Sequence, residues 1–202
     1  MRRSVIDPKI VAALVLALAF VPRVVEAQAK QAGAPAPAAK LSPELMSARD
    51  ALAKYADPLV AVRDGYFSTV ACVDFPHGAK DGPVDYPPGA MGVHFLNPAN
   101  IGPVLDPAKP QILIYEPVAG KLALVGAEWF VPAAVVGDKP APAIFGQTLS
   151  GPMDGHEPIM PAALRHYDLH VWFWKDNPRG LFTSTNAAVK CDPKAPYTSL
   201  HH

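Results

Sequence analysis

The chain has 202 residues, half of them hydrophobic, with 24 prolines, and its 18 basic residues balance 18 acidic ones. A neutral chain without a basic run excludes the electrostatic footprint of a nucleic-acid binder or of a protein held on anionic membrane surfaces. Its length suffices for one domain with a real core and leaves little for a second.

The N-terminus reads as an export signal over residues 1–27. Arg2, Arg3 and Lys9 make a basic end, Ile10 to Val21 an apolar run, and Val25, Ala27 and Ala29 are small residues around a bond cleavable after Ala27 or Ala29. The run falls short of the ~20 apolar residues a membrane helix needs. The mature chain is therefore expected in the periplasm or secreted, with no membrane contact once the signal is cleaved. Arg2-Arg3 is a poor match to a twin-arginine signal. Loss of residues 1–27 leaves 14 basic and 16 acidic residues. Residues 28–40, built from Gln, Lys, Ala, Gly and Pro, offer no bulky apolar side chain to bury and read as a tether.

A single globular domain is expected over 41–202. Ser42-Pro43-Glu44 is a helix start, with a capping hydroxyl, proline at the first helical position and an acid in the first turn. Leu45, Ala48, Leu52 and Tyr55 follow at helical spacing, which carries the helix to about Ala56. Asp57-Pro58 repeats the start signal, and Leu59 to Asp64 reads as a second short helix ended by Gly65. Aromatic and β-branched runs then predict strands near Tyr66 to Val73, Met91 to Leu96, Ile112 to Tyr115, Leu122 to Val131 and Tyr167 to Trp174. Long proline-rich loops over 76–89, 97–110 and 132–142 separate them. Helices first and strands afterwards, with no helical crossover, predict an α+β fold: an N-terminal helical segment packed on a mainly antiparallel sheet, its closure into a barrel left open.

Cys72 and Cys191 are the only cysteines. In an oxidising compartment they are expected to pair, tying the start of the sheet to the end of the chain; two buried thiols or a thiolate metal ligand are the competing readings.

The segment His166-Tyr167-Asp168-Leu169-His170 carries the most chemistry. Side chains alternate along a strand, so His166, Asp168, His170, Trp172 and Trp174 are expected on one face, with the first three as potential metal ligands. In the strand to Val131, Glu128 should share a face with Leu122, Leu124 and Phe130, opposite Ala123, Val125, Ala127 and Trp129. Both faces are apolar, and a buried carboxylate needs a cation, a proton or a metal. His94 likewise stands between Val93 and Phe95. Met153, His156 and Met160 sit in a Pro/Gly-rich loop just before His166, and thioether with imidazole suits copper; methionine is equally a hydrophobic plug. Asn177-Pro178-Arg179-Gly180 reads as a turn. No Gly-x-Ser-x-Gly elbow, phosphate loop or dinucleotide fingerprint is present.

Met91-Gly92-Val93-His94-Phe95-Leu96-Asn97-Pro98, Leu113-Ile114-Tyr115-Glu116-Pro117, Leu124-Val125-Gly126-Ala127-Glu128 and His166-Tyr167-Asp168-Leu169-His170-Val171-Trp172 span most of the mature chain. As a set they resemble a group of bacterial exported proteins, a resemblance that brings no catalytic role. Pro87-Pro88-Gly89 ahead of His94 and Asn97 is similar to the second cupin motif, but Gly92 stands where its histidine would fall, and no His-x-His precedes it.

The residues thus point first to an exported domain binding a transition metal, zinc, iron or copper, through a subset of His94, Glu128, His156, His166, Asp168 and His170. The alternative is a non-catalytic module whose Trp129, Tyr167, Trp172 and Trp174 line a pocket for a small molecule or partner. Neither reading fixes a reaction.

Overall fold

A computed structural model describes residues 41–202; the signal peptide and tether read from the sequence lie outside them. Helix α1 (Pro43–Leu52) is capped by the Ser42 hydroxyl, which accepts from the Leu45 amide. A 3-10 turn (Ala53–Ala56) follows, and α2 (Pro58–Arg63) is capped by the Asp57 carboxylate. Both starts fall where the Ser-Pro and Asp-Pro signals put them.

The strands are β1 (Phe67–Phe75), β2 (Ala79–Asp81), β3 (Val84–Tyr86), β4 (Gly89–Leu96), β5 (Ile112–Val118) and β6 (Lys121–Pro132), then, after a helical turn α3 (Ala133–Val136), β7 (Ala143–Ile144), β8 (Gln147–Thr148), β9 (Ser150–Met153), β10 (His166–Val171) and β11 (Thr198–His201). Seven of them form one sheet in the order β11-β1-β4-β5-β6-β10-β9, with β2–β3 and β7–β8 as separate hairpins. Only the β1–β11 pair is parallel. The fold is α+β, and the sheet curls into a half-barrel.

The helices cover one face. Leu45, Ala48 and Leu52 of α1 pack with Val93, Phe95, Leu113, Tyr115, Ala127 and Trp129 in the main apolar core, where each fully buried leucine contributes about 2 kcal/mol. Its buried polar atoms are bonded: Tyr115 Oη donates to Tyr55 O at 2.7 Å, Tyr66 Oη to Pro110 O at 2.8 Å and Trp129 Nε1 to Asp106 O at 2.9 Å. The opposite face carries a smaller cluster of Ala90, Ile112, Ile114, Val125, Phe130, Trp172 and Val189. Cys72 and Cys191 form the expected disulfide, 119 residues apart in sequence, and closing so long a loop is worth about 5 kcal/mol in the chain-entropy account. Among the described residues no helix is long and apolar enough to cross a membrane.

Two irregularities decide which side chains reach the second face. In β6 the register with β5 slips between Ile114↔Gly126 and Tyr115↔Leu124, leaving Val125 as an extra residue. The expected alternation therefore fails upstream of it. Leu122 and Leu124 join the helix-covered core, and Val125 turns to the side of Glu128 and Phe130, because a bulge residue shifts every position before it to the opposite face. In β4 the slip falls at Met91, beside Gly92 at φ +91°. A Cβ on Gly92 would lie 2.5 Å from Tyr115 O, so this bend needs glycine.

Strand β10 also stops earlier than expected, at Val171. The Trp172 amide donates to Leu181 O instead of to β6, and the Trp174 amide meets Val125 O at the β6 bulge, out of register with the ladder. Trp174 consequently packs with the helix-side core and does not continue the row of His166, Asp168 and His170. The loops expected over 76–89 and 132–142 contain the β2–β3 hairpin and α3.

Candidate metal centre

Pairing across four strands gathers the ligands. On β10, His166, Asp168 and His170 alternate onto the face away from the helices, and His170 stands opposite Glu128 of β6. Glu128 is also opposite Ile112 of β5, and Ile114, two residues on, is opposite His94 of β4. His94, Glu128 and His170 thus share one face of the sheet, and Ile112 lines the cavity with them. The segment between β9 and β10 brings His156 against His166, ring centroids 5.6 Å apart.

All six residues expected from the sequence to bind metal fall into two adjoining triads, His94–Glu128–His170 and His156–His166–Asp168, and within each the ligand atoms lie within 4.8 Å of one another. In the first, Glu128 Oε2 is 3.5 Å from both His94 Nε2 and His170 Nε2. That is long for a charge-assisted hydrogen bond. It matches the ~3.4 Å edge of a tetrahedron whose metal–ligand bonds are ~2.1 Å. Asp168 Oδ2 stands between the triads, 3.8 Å from His170 Nδ1 and 4.0 Å from His166 Nε2.

These groups are shut away from water and lack partners. His94, Glu128, His166, Asp168 and His170 are all buried. Among the described residues, the buried side-chain polar atoms without a hydrogen bond are Thr69 Oγ1, His94 Nδ1, Glu128 Oε2, His156 Nε2, Asp168 Oδ2 and both ring nitrogens of His170. Each belongs to a residue lining one cavity of about 40 Å³, completed by Met91, Leu96, Ile112, Ile159 and Met160. Each such atom costs about 1–3 kcal/mol to bury bare, so their concentration in one place marks a candidate site that could hold a metal ion.

Electrostatics separates the two carboxylates. Burial works to raise the pKa of Glu128, but the charges available on His170, His94 and His166 outweigh it and hold the group below the usual carboxylate range, ionised. Burial and then the charge of Glu128 push Asp168 well above that range. Burial favours the neutral form of three of the imidazoles, lowering His170 to about 4 and His156 to about 3, and lowering His166. Neutral imidazole beside carboxylate is the protonation state that metal ligation requires.

The remaining expectations divide. Met160 lines the cavity, whereas Met153 is a core plug whose sulfur accepts from Tyr86 Oη at 2.7 Å, so the two thioethers are not one ligand pair. Trp129 is sealed in the helix-side core, edge-on to Phe145 and Phe173. Tyr167 and Trp174 pack against that same core, and Trp172 lies on the other face with its ring 6.0 Å from His170. The four aromatics are not gathered around one pocket. Arg179 donates to Pro88 O and is structural. Thr69 and Met91, which line the cavity, carry no signal in the sequence, Met91 because the bend at Gly92 alone turns it inward.

A second, open cleft of about 310 Å³ lies next to the cavity, between Phe75, Asp81, Tyr86, Gly155 and Glu157, and His156 lines both. No family model matches the chain, and no curated protein or solved structure is significantly similar to it.

Proposed function

We propose that this is an exported protein that holds a transition metal through His94, Glu128 and His170. The observation that carries the reading is the set of buried, unpartnered polar atoms around one small cavity, among them Glu128 Oε2, which stands at the spacing of a tetrahedral edge from both His94 Nε2 and His170 Nε2. Two imidazoles and one carboxylate are the donor set of catalytic zinc sites and of non-haem iron sites, in which protein ligands leave positions open for water or substrate. Here the open side faces the cavity, where Thr69 offers a hydroxyl and Met160 a thioether. Asp168 Oδ2 lies 3.8 Å from His170 Nδ1, on the side from which outer carboxylates steady metal-bound histidines, though no hydrogen bond joins the two atoms. A metal in this place would supply Lewis acidity or an activated water. Export fits the disulfide and the signal-like N-terminus, and places the protein in the periplasm or outside the cell.

The test is metal content by mass spectrometry on untagged protein isolated without chelators, in a background with His201 and His202 changed to alanine. At least one equivalent of a single metal, lost in His170→Ala and in Glu128→Gln, is expected. Mixed substoichiometric metals that both variants leave unchanged would overturn the reading.

A further inference from the structure

We infer that His156, His166 and Asp168 form a second metal position, so that the cavity takes a pair of transition-metal ions. The inference rests on the reading of the first triad as a metal site and goes beyond it in number, ligands and route of entry.

The central observation is a tautomer fixed by the backbone. His166 Nδ1 is 3.2 Å from Leu164 O. A carbonyl only accepts, so Nδ1 carries the proton and Nε2 presents a bare lone pair. That lone pair faces Asp168 Oδ2 at 4.0 Å, within a pair of side chains only 1% and 3% exposed. At 4.0 Å the two atoms are too far apart for a hydrogen bond and within the span of two donors on one metal ion. With a metal bound there, the Leu164 carbonyl is the outer partner that metal-bound histidines regularly have.

His156 supplies the third donor. Its Nε2 is buried and without a partner, and its ring stands edge-on to that of His166. The same residue lines the open cleft beside Phe75 and Tyr86. The first triad lies wholly on sheet strands, whereas the second includes one ligand on a loop that borders solvent, so this position has its own entry path. Asp168 lies at the junction of the two triads, next to His170 on one side and His166 on the other, where a carboxylate can serve neighbouring ions, as in two-metal sites.

Isothermal titration of the chelator-stripped full chain with Zn²⁺ tests this, again with His201 and His202 changed to alanine, because the His202 ring stands 6.0 Å from that of His156. Two equivalents are expected. His156→Ala should reduce them to one, and His166→Gln should do the same, with thermal melting of the apo variants confirming that they fold. Glu128→Gln should abolish or weaken the other equivalent at least ~10-fold, about 1.4 kcal/mol. One equivalent in the parent, unchanged by His156→Ala and lost in Glu128→Gln, would overturn the second position while leaving the first intact. No binding in the parent would overturn both. Titration with Co²⁺ adds a spectroscopic readout, since His156→Ala should remove part of the visible absorption without touching the rest.

Discussion

The two faces of the sheet bury polar groups in opposite ways. Under the helices, the hydroxyls of Tyr66 and Tyr115 and the indole nitrogen of Trp129 each reach a backbone carbonyl. Under the loops, two carboxylates and three imidazoles line a cavity with several of their atoms unbonded. The first face behaves as a folding core, in which polar burial is tolerated because it is satisfied. The second carries a cost that folding alone does not explain, and such sites are where stability gives way to binding.

That contrast can be broken most strongly on the helix side. Trp129→Ala should lower unfolding free energy by about 3–5 kcal/mol in denaturant titration, with any metal still bound by the molecules that fold. The same large-to-small logic reverses sign across the sheet. Replacing the pair at once, His170→Leu with Glu128→Met, should leave the metal-free protein as stable or more stable by about 1–3 kcal/mol, because a buried ionic set is exchanged for apolar packing, and it should remove the equivalent of metal assigned to the first triad. A loss of stability comparable to that of Trp129→Ala would show that the polar cluster is a structural network.

The smallest expected effect is on pH dependence. His170 and His156 stay neutral in the folded chain down to about 4 and about 3, whereas in the unfolded chain histidine takes a proton near pH ~6.5. Over that window the unfolded state holds more protons, so the urea midpoint of the metal-free protein should fall as pH drops from ~6.5 toward 4. His166, also lowered, acts in the same direction; Asp168, raised, opposes it. Three groups against one leave the acid-destabilising slope. His170→Leu with Glu128→Met should flatten it, and Trp129→Ala should leave it in place.

Much of this architecture was legible in the sequence, for identifiable reasons. Caps and prolines mark α1 and α2, and period-two alternation in rigid, apolar segments placed His166, Asp168 and His170 together and singled out Glu128 and His94. What escaped depends on pairing with distant chain. The Val125 bulge exists only relative to Tyr115 in β5, so no local pattern announces that Leu122 and Leu124 change face. The end of β10 is set by the carbonyl of Leu181, which takes the Trp172 amide, and by the β6 bulge at Val125, which puts the chain out of register before Trp174. β9 contains Gly151 and Pro152 and reads locally as loop, while β11 gains its place only by parallel pairing with β1. The division of six ligands into two triads follows from side-chain directions that alternation alone does not supply.

The ligands of the first triad come from β4, β6 and β10, with His94 and His170 separated by most of the sheet-forming chain. Local segments therefore hold no partial site, and the pocket is assembled only after the longest loops have closed. A metal held there cannot guide the early search for the fold. It would act as a late clasp: refolding rates should be nearly indifferent to it, while the lifetime of the native state should lengthen, a durability set by the unfolding rate and not by the speed of folding.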